Sequence, residues 1–176
     1  ILDEFEQPIP LLDDEGQLRL AELRAQVDRR LDALPRLRRR VVWPPLGLAP
    51  PCWVDDPDFD VADHVDVVRL PRSAGLDGLR HYAEQVMAEP LAKDRPLWHL
   101  RFVTGLPGGR VGLIERVHHA LVDGVSGVDV ATVLFDLSPE LEPLTPSSWE
   151  PAARSAPSSL LASGLWAQAT APARTL

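Results

Sequence analysis

The sequence predicts an α/β fold built on a sheet of mixed pairing. Two segments carry apolar residues at three- and four-residue intervals, two others are short apolar runs joined by a turn rich in glycine and proline, and helical and extended patterns alternate along the chain. With 176 residues and 45% apolar content, one domain can bury a real core and still carry a tail.

Ile1 to Phe5 reads as the end of a strand, and because residue 1 is not methionine, further sequence is expected upstream. From Gln17 to Leu37, Leu20, Leu23, Val27, Leu31 and Leu34 line one face of an amphipathic helix, with Arg24, Asp28, Arg29 and Asp32 on the other. Pro35 ends or kinks that helix. The cluster Arg36, Arg38, Arg39 and Arg40 has two readings, a solvated helix end or a phosphate-binding patch suited to a diphosphate such as that of CoA. The proline-rich stretch from Pro44 to Pro57 predicts an irregular surface loop, and Phe59 to Leu70 a bulged strand.

A second helix follows, burying Leu76, Leu79, Ala83, Val86 and Met87 and ending at Pro90. Leu97 to Thr104 and Val111 to Val117 then form a hairpin around Gly105-Leu106-Pro107-Gly108-Gly109-Arg110. Val125 to Leu137 predicts a helix. Beyond Ser138 the composition shifts to proline, serine and alanine, the signature of a linker, with a short helix at Ser158 to Gln168.

Composition excludes several functions. A net charge of −8 argues against a nucleic-acid partner, which needs a broad cationic face. Lys93 is the sole lysine, and this arginine bias with 18 prolines suggests a GC-rich bacterial genome. Cys52 alone can form neither an intramolecular disulfide nor a cysteine-rich zinc site, which suits a cytoplasmic protein. No apolar run reaches the roughly 20 residues that span a bilayer, and the start lacks the order of a signal peptide, so any membrane contact is expected to be peripheral.

The most informative string is His118-His119-Ala120-Leu121-Val122-Asp123-Gly124, placed directly after the hairpin's second strand. An H-H-x-x-x-D-G pattern arises by accident in roughly one chain in a few thousand of this length. If the strand continues, alternation puts Val117 and His119 on one face and Arg116 and His118 on the other, so a single histidine faces a given cavity. Imidazole suits general-base work on an alcohol at neutral pH and can return the proton to a leaving group. Asp123 can cap the following helix and Gly124 can carry the turn. Taken singly, such residues are usually structural; the combination points to chemistry. No metal site is expected, because adjacent histidines diverge and H-E-x-x-H is absent. A serine hydrolase is excluded because Val128 stands where G-x-S-x-G needs glycine.

Arg95-Pro96-Leu97-Trp98, the turn at 105–110, and Val117 to Gly127, in this order and spacing, resemble wax ester synthase/diacylglycerol acyltransferase proteins. The histidine motif alone is shared with the wider chloramphenicol acetyltransferase-like superfamily, and Pro96-Leu97-Trp98 narrows it. The regions Phe59 to Val65 and Leu18 to Arg38 also resemble that family's amino-terminal half. The likeness covers residues 1–138, which implies an amino-terminal acyltransferase domain there, an interdomain connector over 139–176 and a carboxy-terminal domain not contained in this chain.

The resemblance implies a chloramphenicol acetyltransferase-like two-layer sandwich, a mixed sheet with helices on one side, forming half of a two-domain fold. It implies acyl transfer from acyl-CoA, a co-substrate, to diacylglycerol or a long-chain alcohol, with His119 as the general base and no cofactor. The same likeness gives His118 an orienting or packing role, Asp123 a structural one, and Pro96, Leu97 and Trp98 a place along the substrate channel. Equally, those three can simply begin a strand that buries Trp98, Leu100 and Phe102 on one face. Partners implied are the carboxy-terminal half and, at the periphery, the inner membrane or a lipid-droplet surface. Two other functions remain open: a condensation-type catalyst using a carrier-protein thioester, and a non-catalytic half that depends on a partner half.

Overall fold

A computed structural model describes residues 2–5, 12–13, 15–43, 50–122, 134 and 149–152. The main sheet has four strands in the order β1-β6-β5-β4: β1 Leu2–Phe5, β4 Val65–Arg69, β5 Trp98–Thr104 and β6 Val111–Val117. The β5-β6 hairpin and the β1-β6 pair are antiparallel, whereas β4 and β5 are parallel. The crossover between the parallel strands is helix α2, Gly75–Ala88. Helix α1 spans Leu20–Arg30, and a separate antiparallel ribbon pairs β2, Arg39–Val42, with β3, Cys52–Asp55.

Side-chain alternation along β5 divides the interior in two. Leu100 and Phe102 face one way with Trp98, joining Leu23 and Val27 of α1, and Leu31 just after it, in the larger core. Val103 faces the other way and, with Ile114, meets Leu79, Ala83 and Val86 of α2. The mixed α/β class expected from sequence is what forms. Within it α1 packs on one face of β5 and α2 on the other, because β5 and β6 carry apolar residues on both faces and each face needs a cover.

Four differences from expectation have local causes. Helix α1 ends at Arg30 and tightens into 3-10 turns at Leu31–Ala33 and Pro35–Arg38, which still carry Leu31, Leu34 and Leu37 into the core. The proline-rich stretch is not all loop, since β3 lies within it. The strand expected from Phe59 begins only at Val65; before it, Asp60 accepts from the Ala62 N–H at 2.8 Å and caps a 3-10 turn at Val61–Asp63. Met87, expected inside, is 57% exposed, one position off the buried stripe of α2.

In the arginine cluster, Arg38, Arg39 and Arg40 are engaged by carboxylates of the fold and Arg36 lies over the Trp53 ring. Arg38 is buried, donating to Asp32 at 2.5 Å and to the Asp28 carboxylate at 3.1 Å, while Arg39 pairs with Asp55 and Arg40 with Asp56. The guanidinium of Arg38 also lies 5.9 Å from the ring centre of Phe59 and 5.0 Å from that of Trp149. The helices expected at Val125 to Leu137 and Ser158 to Gln168 fall outside the described residues, apart from Leu134, which is buried in the larger core.

Candidate active site

Strand β6 delivers the paired histidines to the end of the sheet. Its pairing with β5 runs to Trp98 opposite Val117, and the His118 N–H then donates to the Leu97 carbonyl at 2.9 Å, carrying the ladder one residue further. There the chain turns. The Leu121 N–H donates to the His118 carbonyl at 2.8 Å, and the His118 ring accepts from the Ala120 N–H at 3.1 Å through Nδ1, so this imidazole serves as the cap of α3, His119–Val122. Because helix begins at His119, the strand alternation expected to reach it stops at Val117, and the turn of α3 sets the ring's direction instead.

His119 is exposed and forms no hydrogen bond among the described residues. Its backbone is nonetheless held on both sides, by Val117 against the larger core and by Leu121, which is fully buried in it. A ring with its nitrogens unengaged on an anchored backbone can accept a proton from a group that approaches from solvent or from a facing surface. Asp123 and Gly124 lie outside the described residues.

Pro96, Leu97 and Trp98 sit beside the histidines, and all three are buried. Leu97 touches the motif directly through its carbonyl. Trp98 donates from its indole N–H to the Leu37 carbonyl at 2.6 Å and stacks on His64, ring centres 4.5 Å apart. His64 stacks in turn on Phe59 at 5.3 Å, and its Nδ1 lies 2.9 Å from the Trp98 carbonyl, which can only accept. That nitrogen therefore carries the proton. Burial pushes the His64 pKa below its ordinary value, against the backbone carbonyl and Asp63, which act the other way.

On the opposite face of β5, Asp66 takes a two-pronged pair from Arg101 at 2.8 and 2.5 Å and lies 3.5 Å from His99, while Arg101 also donates to the Tyr82 hydroxyl. The His99 pKa is lowered chiefly by burial, with Asp66 opposing. Neither this network nor the His64 stack was expected from sequence. Asp66 and Arg101 are neighbours only through the parallel register, 35 positions apart in the chain. For His64, the sole local signal is its place just before a run of β-branched residues.

The profile of the wax ester synthase/diacylglycerol acyltransferase catalytic domain matches residues 5–176. The chain belongs to that family. Two Mycobacterium tuberculosis proteins named as diacylglycerol O-acyltransferases are 41% and 39% identical to it, over 73% and 62% of this chain and 27% and 41% of theirs. The solved wax ester synthase/diacylglycerol acyltransferase of Marinobacter aquaeolei VT8 superposes with a TM-score of 0.55 at 28% identity, covering 71% of this chain and 29% of that one. The family chain described here thus spans about a quarter of the length of the mycobacterial relative it matches at 41%. No helix among its described residues is long and apolar enough to cross a membrane.

Proposed function

We propose that this chain is the histidine-bearing half of an O-acyltransferase that moves a long-chain acyl group from acyl-CoA to diacylglycerol or a fatty alcohol. The observation that carries the reading is the exposed His119 ring on an anchored backbone at the end of β6, within the family's motif. His119 takes the hydroxyl proton as the alcohol oxygen attacks the thioester carbonyl carbon. The carbon–sulfur bond breaks as the tetrahedral intermediate collapses, and the imidazolium returns its proton to the departing CoA thiolate. No covalent acyl-enzyme is required.

Pro96, Leu97 and Trp98 form the wall next to the histidines on this reading, and Asp123 and Gly124 support the motif. The acyl and acceptor chains run between this half and a second, carboxy-terminal one, because His119 is exposed and acyl transfer needs a site from which water is shut out. A peripheral position on the inner membrane or a lipid droplet fits substrates of this kind.

The test is ester formation from palmitoyl-CoA with diacylglycerol or hexadecanol, in the chain alone and joined to a second half. We expect product only from the joined protein, and His119→Ala to lower its turnover by about 10²- to 10⁴-fold with an unchanged melting temperature. Ester made by the His119→Ala protein at the original rate would remove the base assignment. Failure with every acyl-CoA, but transfer from a carrier-protein thioester, would move the enzyme to the condensation class.

A further inference from the structure

The end of the sheet away from His119 carries a cavity of about 400 Å³. It is lined by Arg69 at the end of β4, Arg72 just beyond, Arg110 before β6, and the turn from Gly105 to Gly109, with Glu15 as the one carboxylate among the described lining residues. Several arginines elsewhere are held, Arg24 on backbone carbonyls and Arg38, Arg39, Arg95 and Arg101 on carboxylates, while Arg36 lies over the Trp53 ring. Arg69 and Arg72 form neither an ion pair nor a hydrogen bond among the described residues. In a chain of net charge −8, two guanidinium groups at one cavity with no ion pair among the described residues stand against the general field.

The backbone fixes where they sit. Gly105 has a φ of +86°, and a Cβ there would fall 2.1 Å from the Leu70 carbonyl oxygen and 3.4 Å from Cγ of Arg69. Only glycine lets the turn lie directly under the stem of Arg69. The Leu70 N–H closes the same corner by donating to Thr104 at 2.9 Å, and Arg110 is steadied by its Nε–H on the Pro107 carbonyl at 3.1 Å. The arginines thus project from an ordered rim.

We propose that this cavity binds a phosphate group, as a monoester or diphosphate, at a site separate from acyl transfer. Planar guanidinium forks match phosphate oxygens, and such charge-assisted bonds are about twice as strong as neutral ones. The whole of β6 separates the cavity from His119, roughly 20 Å at about 3.3 Å per residue. A ligand here therefore does not touch the reacting atoms. The phosphate can belong to a soluble molecule or to a lipid headgroup, and the same residues would hold either.

The test titrates the chain with inorganic pyrophosphate by calorimetry and, in parallel, sediments it with phosphatidylcholine vesicles with and without phosphatidic acid. The same measurements are made on the Arg69→Ala/Arg72→Ala protein and on Arg19→Ala/Arg80→Ala, which removes equal charge elsewhere. We expect the first pair to weaken binding at least about tenfold, with an unchanged melting temperature, and the second to leave it within about twofold. Pyrophosphate binding identifies a soluble ligand; capture only by phosphatidic acid vesicles identifies a headgroup, and both support the site. Binding in neither arm, or equal loss in both double variants, overturns it.

Discussion

At the scale of single residues, the general base proposed at His119 has two needs that oppose each other, a ring free to take a proton and a position that does not wander. On that proposal the motif divides these between its histidines. His119 keeps its ring exposed, whereas His118 spends a ring nitrogen on the Ala120 N–H and so fixes the first turn of α3. Removing that cap should cost about 1 kcal/mol, as at other helix starts, and loosen the backbone of His119. His118→Ala is therefore expected to lower both melting temperature and turnover of the joined enzyme. His118→Asn supplies a capping side chain without an imidazole and should restore most of both. If asparagine restores stability but leaves turnover as low as alanine does, His118 has a chemical part beyond capping.

At the scale of elements, α1, α2 and the hairpin were legible in sequence because their signals are local: a stripe of leucines for α1, a glycine and proline turn between two apolar runs for β5 and β6. The β2-β3 ribbon was not, since β3 hides among prolines and its pairing with β2 spans a gap no local pattern records. Arg38 shows the same limit. Its neighbours make it look like part of a surface charge run, but its partners, Asp28, Asp32, Phe59 and Trp149, come from three other parts of the chain. Trp149 and the Ala152 N–H, which donates to Asp55 at 3.2 Å, bring the segment 149–152 onto this ribbon. Lysine at position 38 cannot reproduce the fork. Arg38→Lys should lower stability by about 2 kcal/mol in urea unfolding, and Trp149→Ala by about 1 kcal/mol. A coupling near zero between the two in a double-mutant cycle would show that the ring and the guanidinium do not act together.

At the scale of the whole molecule, the sheet is covered on both faces, and a buried or half-buried histidine lies on each side of β5. The motif histidines were legible as a string, but the two interior ones acquire their character only from three-dimensional burial: His64 between Phe59 and Trp98, His99 against Asp66 and near Arg101 and Arg116. Both have folded pKa values below 6.5, the ordinary value, with burial as the leading cause. The unfolded chain therefore binds protons more readily than the folded one, and the stability these groups contribute is complete above about pH 6.5. It is lost as pH falls from there through the folded values. Asp63, Asp56 and the Trp98 carbonyl limit the shift at His64, with Arg95 opposing them, and Asp66 limits it at His99 against Arg101 and Arg116. The melting temperature should thus stay level from about pH 8 to pH 7 and decline below about pH 6.5, ahead of carboxylate titration near pH 4. His64→Phe keeps an aromatic ring between Phe59 and Trp98 while removing the titrating group and its bond to the Trp98 carbonyl. That protein should melt lower at pH 8 but lose less between pH 7 and pH 5.5. An unaltered slope in His64→Phe would place the acid sensitivity on His99, and a second substitution, His99→Gln, would then have to flatten it.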